Sequence, residues 1–167
     1  MADPKPASVA DHEASHAVVW WWWWKSTPEG RDPGTGTRFF RVTIESDEGR
    51  EGDFDPLYPS FGTSQEKDDL LCLAHVCAMG LAGPISDELR NEEPRHSTDE
   101  YKVEKLARFC LPSTEEASIF LEDLRPRVRS FLERPDVRAM VGGLADALLE
   151  HKTLGHKEAV EAMKAAP

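Results

Sequence analysis

The segment from residue 12 to residue 24 constrains the fold more than any other part of the 167-residue chain. It begins with His12-Glu13-Ala-Ser-His16 and ends with five consecutive tryptophans, Trp20 to Trp24. Residues four apart in an α-helix share one face, so the spacing places both imidazoles on the same side. Five indoles in a row surround more than one turn, so no single buried face covers them all. The segment therefore predicts a helix with two histidines on one face and indoles all round its carboxyl end.

The His-Glu-x-x-His motif predicts a metal site. Two neutral imidazoles on one helix face suit Zn²⁺ and leave a coordination position open. Glu13 is next to the first histidine, where its carboxylate can reach a metal-activated water without binding the metal. A catalytic zinc site usually has three protein ligands. Spacing alone leaves five candidates for the third ligand: His75, Asp87, Glu88, His96 and Asp99.

The tryptophan run, Trp20 to Trp24, has three interpretations. The rings could be enclosed in the core by the later strand and helices. They could form an exposed aromatic patch for a protein partner or a substrate chain. They could lie at a membrane surface, where indole is favoured, although an acidic chain is repelled by anionic lipid. Core packing, for about three of the five rings, is the simplest interpretation.

Composition and charge limit the classes of partner. Acidic residues outnumber basic ones, 31 to 20, and the formal net charge is −11. We expect no nucleic-acid partner, because neutralising phosphates needs a basic face. We also expect no membrane span, since the longest apolar run, residues 17–24, is too short. No signal peptide is visible, and Cys72, Cys77 and Cys110 lack metal-knuckle spacing. These features predict a cytoplasmic protein with reduced, mostly buried thiols.

The chain length suits one domain, residues 1–167, with frayed ends at 1–7 and 164–167. The pattern predicts a mainly α fold with a small β element near the amino terminus and a carboxy-terminal helical bundle. Pro126 should kink or interrupt its helix, and the strand could offer an edge to an extended substrate. The predicted elements are a helix from about residue 8 through the tryptophans, a strand at 38–44, a hairpin return and loop over 46–62, a buried helix at 63–83, a short helix at 85–90, and helices at 97–110, 113–133, 135–152 and 156–165.

Several segments resemble, in order, the peptidase domain of the FtsH-type ATP-dependent zinc metalloproteases. The similar segments are residues 12–19 (HEAGHAVV in the family), 40–44 (the strand that follows), 80–89 (LAGRAAEEL), 97–99 with 106–107 (the segment of the third zinc ligand) and 144–154 (LAxxLLExETL). The resemblance covers nearly the whole chain. The chain departs from the family at Ser15, which replaces a glycine, and at Pro84-Ile85, which replaces Arg-Ala and changes how the next helix starts.

The resemblance implies a zincin-like α+β domain in which His12, His16 and Asp99 bind Zn²⁺ and Glu13 is the general base. It implies a zinc metalloendopeptidase that hydrolyses a peptide or an unfolded protein, and it suggests a homo-oligomer. The alternative is a catalytically silent, zinc-stabilised binding or regulatory module derived from such a domain. This alternative arises because the chain contains no G-x-x-x-x-G-K-[ST] nucleotide-binding motif and because the Trp20–Trp24 cluster could bind a protein partner.

Overall fold

The computed structural model of the protein describes residues 6–26, 39–47, 50–56, 67–90 and 98–166. Six helices and three short strands lie within these ranges, so the expectation of a mainly helical fold with a small sheet is confirmed. In chain order the elements are α1 (Pro6–Ser26), β1 (Phe39–Asp47), β2 (Arg50–Pro56), α2 (Lys67–Leu89), α3 (Thr98–Cys110), α4 (Thr114–Leu132), α5 (Pro135–His151), β3 (Thr153–Gly155) and α6 (His156–Ala165).

Helix α1 lies at the centre of the core, packed against α2 on one side and α5 on another. Ala10, Ala14 and Ala17 are fully buried. Their spacing puts these small side chains on one face, where they let neighbouring helices approach closely. Between Ser8 and Trp21 only Asp11 is not buried. The helix that carries the histidine motif is therefore held by packing along most of its length.

The described tryptophans belong to the core. Trp20 and Trp21 are buried, and Trp22 packs partly buried against Phe131, with ring centroids 5.8 Å apart in an edge-to-face arrangement. Such pairs stabilise beyond the area that they bury. The core interpretation is confirmed for Trp20 and Trp21. The side chains of residues 23 and 24 lie outside the described part of the chain.

Strand β1 is the middle strand of a three-stranded antiparallel sheet with the order β2-β1-β3. The predicted hairpin return is β2, and Val42 of β1 lies opposite Phe54 of β2 and Leu154 of β3. Strand β3 was not predicted, since three residues show no alternation. Because β1 is paired on both sides from Arg41 to Thr43, the expectation that it offers a substrate-binding edge there is wrong.

Helix α2 is a single helix, where the sequence predicted two with a break at Gly83-Pro84. Pro84 lies inside the helix. A proline there removes one backbone hydrogen bond and costs about 3 kcal/mol. Each large apolar side chain that α2 buries, such as Leu73, Leu81 and Ile85, contributes about 1.5–3 kcal/mol. Packing against α1, α3 and α4 therefore outweighs the local preference for a break. In α4, Pro126 likewise does not interrupt the helix.

The same helix has a composition found in membrane spans. Residues Leu70–Leu89 are long and apolar enough to cross a bilayer by length and composition alone. Most of this stretch is buried inside the structure, as in the central helix of many folded domains.

Helix ends in the second half of the chain follow local signals. Ser113 Oγ accepts a hydrogen bond from the Glu116 amide at 3.1 Å, as a capping residue does. Pro135 begins α5, and Gly155 precedes α6. Helix α6 extends through Ala165, two residues into the segment that was expected to fray. The predicted starts of two helices, at residues 63 and 97, lie outside the described residues, as does His96.

The three cysteines differ in exposure. None of them is in a disulfide, and Cys77 is buried, Cys72 half-buried and Cys110 exposed. Burial raises the pKa of the Cys77 thiol to about 12, with a smaller contribution from Cys110. The expectation of mostly buried thiols is therefore wrong for Cys110, which is the last residue of α3.

Candidate metal centre

Helix α1 supplies two imidazoles one turn apart. The rings of His12 and His16 have centroids 4.8 Å apart and planes at 77° to each other. Each residue is only 5 % exposed. Glu13, also buried, follows His12 directly in the chain, and its negative charge raises the pKa of His12. Local helix geometry thus produces a buried pair of ring nitrogens with a carboxylate beside it.

Helix α3 brings a second carboxylate to the same place. Asp99 lies in the first turn of α3, and its Oδ2 is 3.4 Å from His12 Nε2 and 3.6 Å from His16 Nε2. The ligand atoms of the three residues all lie within 4.8 Å of one another. The Asp99 side chain is 24 % exposed, which makes it the most accessible of the three. The structure therefore brings together the side chains of the three residues that the resemblance implied as ligands.

Helix α2 orients both histidines through contacts to their Nδ1 atoms. His16 Nδ1 lies 2.6 Å from the Met79 carbonyl oxygen. A carbonyl only accepts, so His16 must carry a hydrogen on Nδ1, and in the neutral ring Nε2 is then the bare nitrogen. His12 Nδ1 lies 2.9 Å from Asp87 Oδ2, an equivalent contact to a carboxylate. Both Nε2 atoms consequently face the side where Asp99 lies, and in the neutral imidazoles they are the nitrogens that could bind a metal.

Gly83 of α2 keeps open the space in front of the two Nε2 atoms. A Cβ added at this position would lie 2.4 Å from His12 Nε2 and 2.5 Å from His16 Nε2, closer than any real contact. Only glycine therefore leaves this space unfilled.

The donor set fits a zinc ion. Two imidazole nitrogens and one carboxylate oxygen are common ligands of Zn²⁺. Donors at the usual zinc distances and tetrahedral angles lie about 3.3–3.4 Å apart, close to the 3.4 Å and 3.6 Å that separate Asp99 from the histidines. The residues present therefore match the chemistry that the ion requires, and the two Asp99 distances are close to its spacing, while the three ligand atoms together span up to 4.8 Å.

The charge of the cluster also favours a cation. Burial by itself lowers the pKa of His12, but hydrogen bonds to Asp87 and Asp99 outweigh it and raise this pKa to about 9. Burial by itself raises the pKa of Asp99, whereas hydrogen bonds from His12 and His16 hold it well below the usual range. Glu13 adds a third carboxylate nearby. Buried carboxylates need compensating positive charge, which either protonated imidazole or a dication supplies.

The other candidates for the third ligand have different surroundings. Glu88 forms ion pairs with Arg125 and Arg129 of α4. His75 is buried in α2, where burial lowers its pKa to about 4, and it is not part of the metal-ligand group. His96 lies outside the described residues. Asp87 is directed at the Nδ1 side of His12, so it is not a ligand in this arrangement.

The sequence did not identify the part that α2 plays. Met79, Gly83 and Asp87 contact the two histidines, and they are spaced four residues apart. Residues at this spacing share one face of a helix. The four-residue spacing was present in the sequence, but it places the three residues on one face only if α2 is continuous, and a break was expected at Gly83-Pro84.

Comparisons with known proteins leave the family of this chain open. A scan against protein-family models gives no match, and a search of curated proteins finds no significant relative. The resemblance to FtsH-type peptidases therefore stays a prediction.

Proposed function

We propose that the protein is a zinc-dependent metallopeptidase of zincin-like architecture, which hydrolyses bonds within a peptide or an unfolded protein chain. The observation that carries this proposal is the approach of Asp99 Oδ2 to both Nε2 atoms of the His12 and His16 pair. The order of the segments that resemble an FtsH-type peptidase domain supports it independently.

In this proposal His12, His16 and Asp99 hold Zn²⁺. The bound ion would supply Lewis acidity, which favours deprotonation of water and attack on a carbonyl carbon. The hydrogen bonds from Nδ1 to the Asp87 carboxylate and the Met79 carbonyl keep the two rings in the orientation that binding needs.

Glu13 is the proposed general base. It lies one residue from His12 and is 6 % exposed, so its carboxylate acts where little bulk water competes. Glu13 takes a proton from the attacking water and delivers it to the leaving amine. Asp99, the more exposed acid, stays ionised because the imidazoles lower its pKa, so it is suited to binding rather than to proton transfer.

The test combines metal content with cleavage of casein as an unfolded substrate. We expect about one zinc per chain in the wild type and a large loss of bound zinc in Asp99→Ala. Glu13→Gln should keep the zinc but lose about 100-fold or more in cleavage rate, since general bases contribute at least this much. Equal cleavage by Glu13→Gln and wild type would show that the catalytic assignment is wrong.

The second candidate is a catalytically silent, zinc-stabilised binding module. The observation that favours it is the deep burial of both histidines, which limits access to their ring nitrogens. This module would bind zinc with the same three residues, and zinc would raise its thermal midpoint. Zinc binding without any casein cleavage by the wild type supports the module and contradicts the peptidase.

A further inference from the structure

Asp87 is the most deeply buried carboxylate in the described part of the chain. It is 1 % exposed. Its Oδ2 atom lies 2.9 Å from His12 Nδ1, and its Oδ1 atom has no hydrogen-bond partner among the described residues. A buried carboxylate with one oxygen unsatisfied is costly for the folded state. An apolar side chain of similar size would serve the fold of α2 better.

The neighbouring acid shows the contrast. Glu88 follows Asp87 in α2, but its two oxygens bind Arg125 and Arg129 of α4. That pairing is a structural connection between two helices. Asp87 makes no such connection, since the contact that the structure gives to its carboxylate leads to His12. Stabilising the fold therefore does not explain why a carboxylate occupies position 87.

We infer that Asp87 is a positioning residue for the metal site, which holds His12 in the form that binds through Nε2. This inference rests on the proposed zinc function. A neutral imidazole has one N–H group and one bare nitrogen. The carboxylate keeps the hydrogen on Nδ1, so the lone pair is on Nε2, which faces Asp99 and the space beside Gly83. A carboxylate in this position also makes the ligand nitrogen more basic.

The two histidines are held differently. His16 donates to the carbonyl of Met79, whereas His12 donates to the Asp87 carboxylate, and both acceptors lie on one face of α2. A backbone carbonyl cannot be removed by substitution, but Asp87 can. Substitution at position 87 therefore changes the support of one ligand and leaves the other intact.

The experiment measures zinc affinity by competition with a chromophoric chelator. Asp87→Ala removes the acceptor, and Asp87→Asn removes the charge while keeping the shape. We expect zinc affinity about 10-fold to 100-fold lower in Asp87→Ala and a smaller loss in Asp87→Asn. Asp123→Asn is the matched control, because it makes the same substitution at an exposed position of α4, where Asp123 pairs with Arg127 of the same helix, and it should stay close to the wild-type affinity. If Asp87→Ala does not fold, Asp87→Asn alone provides the comparison.

A second readout separates positioning from a structural role. Long-range ¹H–¹⁵N NMR of the zinc-loaded protein reports which nitrogen of His12 carries the hydrogen. We expect Nδ1–H in the wild type, and loss or broadening of that signal in the Asp87 variant that folds. A purely structural role would lower the unfolding midpoint of the metal-free protein and leave both the zinc affinity and this signal unchanged.

The outcomes distinguish the two proposals. If the wild type binds no zinc, the proposed function fails and the positioning role fails with it. If the wild type binds zinc but the Asp87 variants bind it equally well, only the positioning role is wrong. An affinity loss in Asp123→Asn as large as that in Asp87→Asn would also overturn it, because a general charge effect would then suffice.

Discussion

Gly83 is a single residue in the middle of α2 that faces two imidazole nitrogens of α1. The space in front of His12 Nε2 and His16 Nε2 exists because position 83 has no side chain. Every ligand of the proposed site would remain if this residue changed. A substitution at Gly83 therefore tests the space for an ion without removing any group that would bind it. Gly142 in α5 has no atoms within 4 Å of its added Cβ and provides the matched comparison.

We predict that Gly83→Ala strongly reduces zinc binding and lowers the stability of the metal-free protein, because the new methyl group meets the imidazole rings. Gly142→Ala should keep the wild-type zinc affinity and be neutral or more stable by about 0.5–1 kcal/mol, since alanine is the better helix residue. The measurements are zinc stoichiometry and urea unfolding with a chelator present. Wild-type zinc affinity in Gly83→Ala would contradict the assignment of the site.

At the scale of elements, α4 connects the two helices that carry the acids of the site. Arg125 pairs with Glu88 of α2 and with Glu100 of α3, the residues that directly follow Asp87 and Asp99. Two carboxylates share this guanidinium, and they raise its pKa although burial acts to lower it. The pairing fixes the ends of α2 and α3 relative to each other.

We predict that Arg125→Met lowers zinc affinity several-fold, because Asp99 is then held less firmly beside the histidines. Its effect on stability should be near 1 kcal/mol, about the upper value for partly exposed ion pairs. Arg129→Met is the control, since Arg129 contacts Glu88 but forms no described pair with α3. This control should lose similar stability and keep its zinc affinity. Equal zinc affinities of the two variants would show that Arg125 does not position Asp99.

At the scale of the whole molecule, two buried histidines make stability depend on pH in opposite directions. Burial lowers the pKa of His75 from 6.5 to about 4, so the unfolded chain takes up a proton first as pH falls. The contribution of uncharged His75 to the stability of the fold is fully present above pH 6.5 and is lost as pH falls towards about 4. Carboxylates raise the pKa of His12 to about 9, so its contribution is present below pH 6.5 and is lost as pH rises through 9. The metal-free protein should therefore be most stable near pH 6.5.

We predict that His75 accounts for a decrease of about 3 kcal/mol in the free energy of unfolding between pH 6.5 and pH 4. This is a large share of the about 5–15 kcal/mol that stabilises a typical domain. Urea unfolding of the metal-free protein across this range measures the decrease, and His75→Leu should flatten most of it. If the free energy of unfolding of His75→Leu falls between pH 6.5 and pH 4 as steeply as that of the wild type, groups other than His75 cause the decrease.

Local patterns in the chain predicted those features that depend on a few neighbouring residues. The four-residue spacing of His12 and His16 placed both rings on one helix face, because helix geometry is set within one turn. Ser113 and Pro135 stand at the predicted starts of α4 and α5 for similar local reasons, since a capping hydroxyl bonds the nearest amide and the fixed φ of proline suits the first turn. These predictions needed no knowledge of what packs against the helix.

Contacts between distant segments were decided by the tertiary structure. Residue types alone left five candidates for a third ligand, and only packing of α3 against α2 brings Asp99 to His12, 87 residues away. The same packing carries α2 through Pro84, because buried side chains outweigh one lost hydrogen bond. It also places Asp87 beside Nδ1 of His12 and Gly83 beside Nε2 of both histidines. The sequence by itself determined the helix with its pair of ring nitrogens and Glu13, whereas the places of Asp99, Asp87 and Gly83 around them came from long-range packing, which no local pattern encodes.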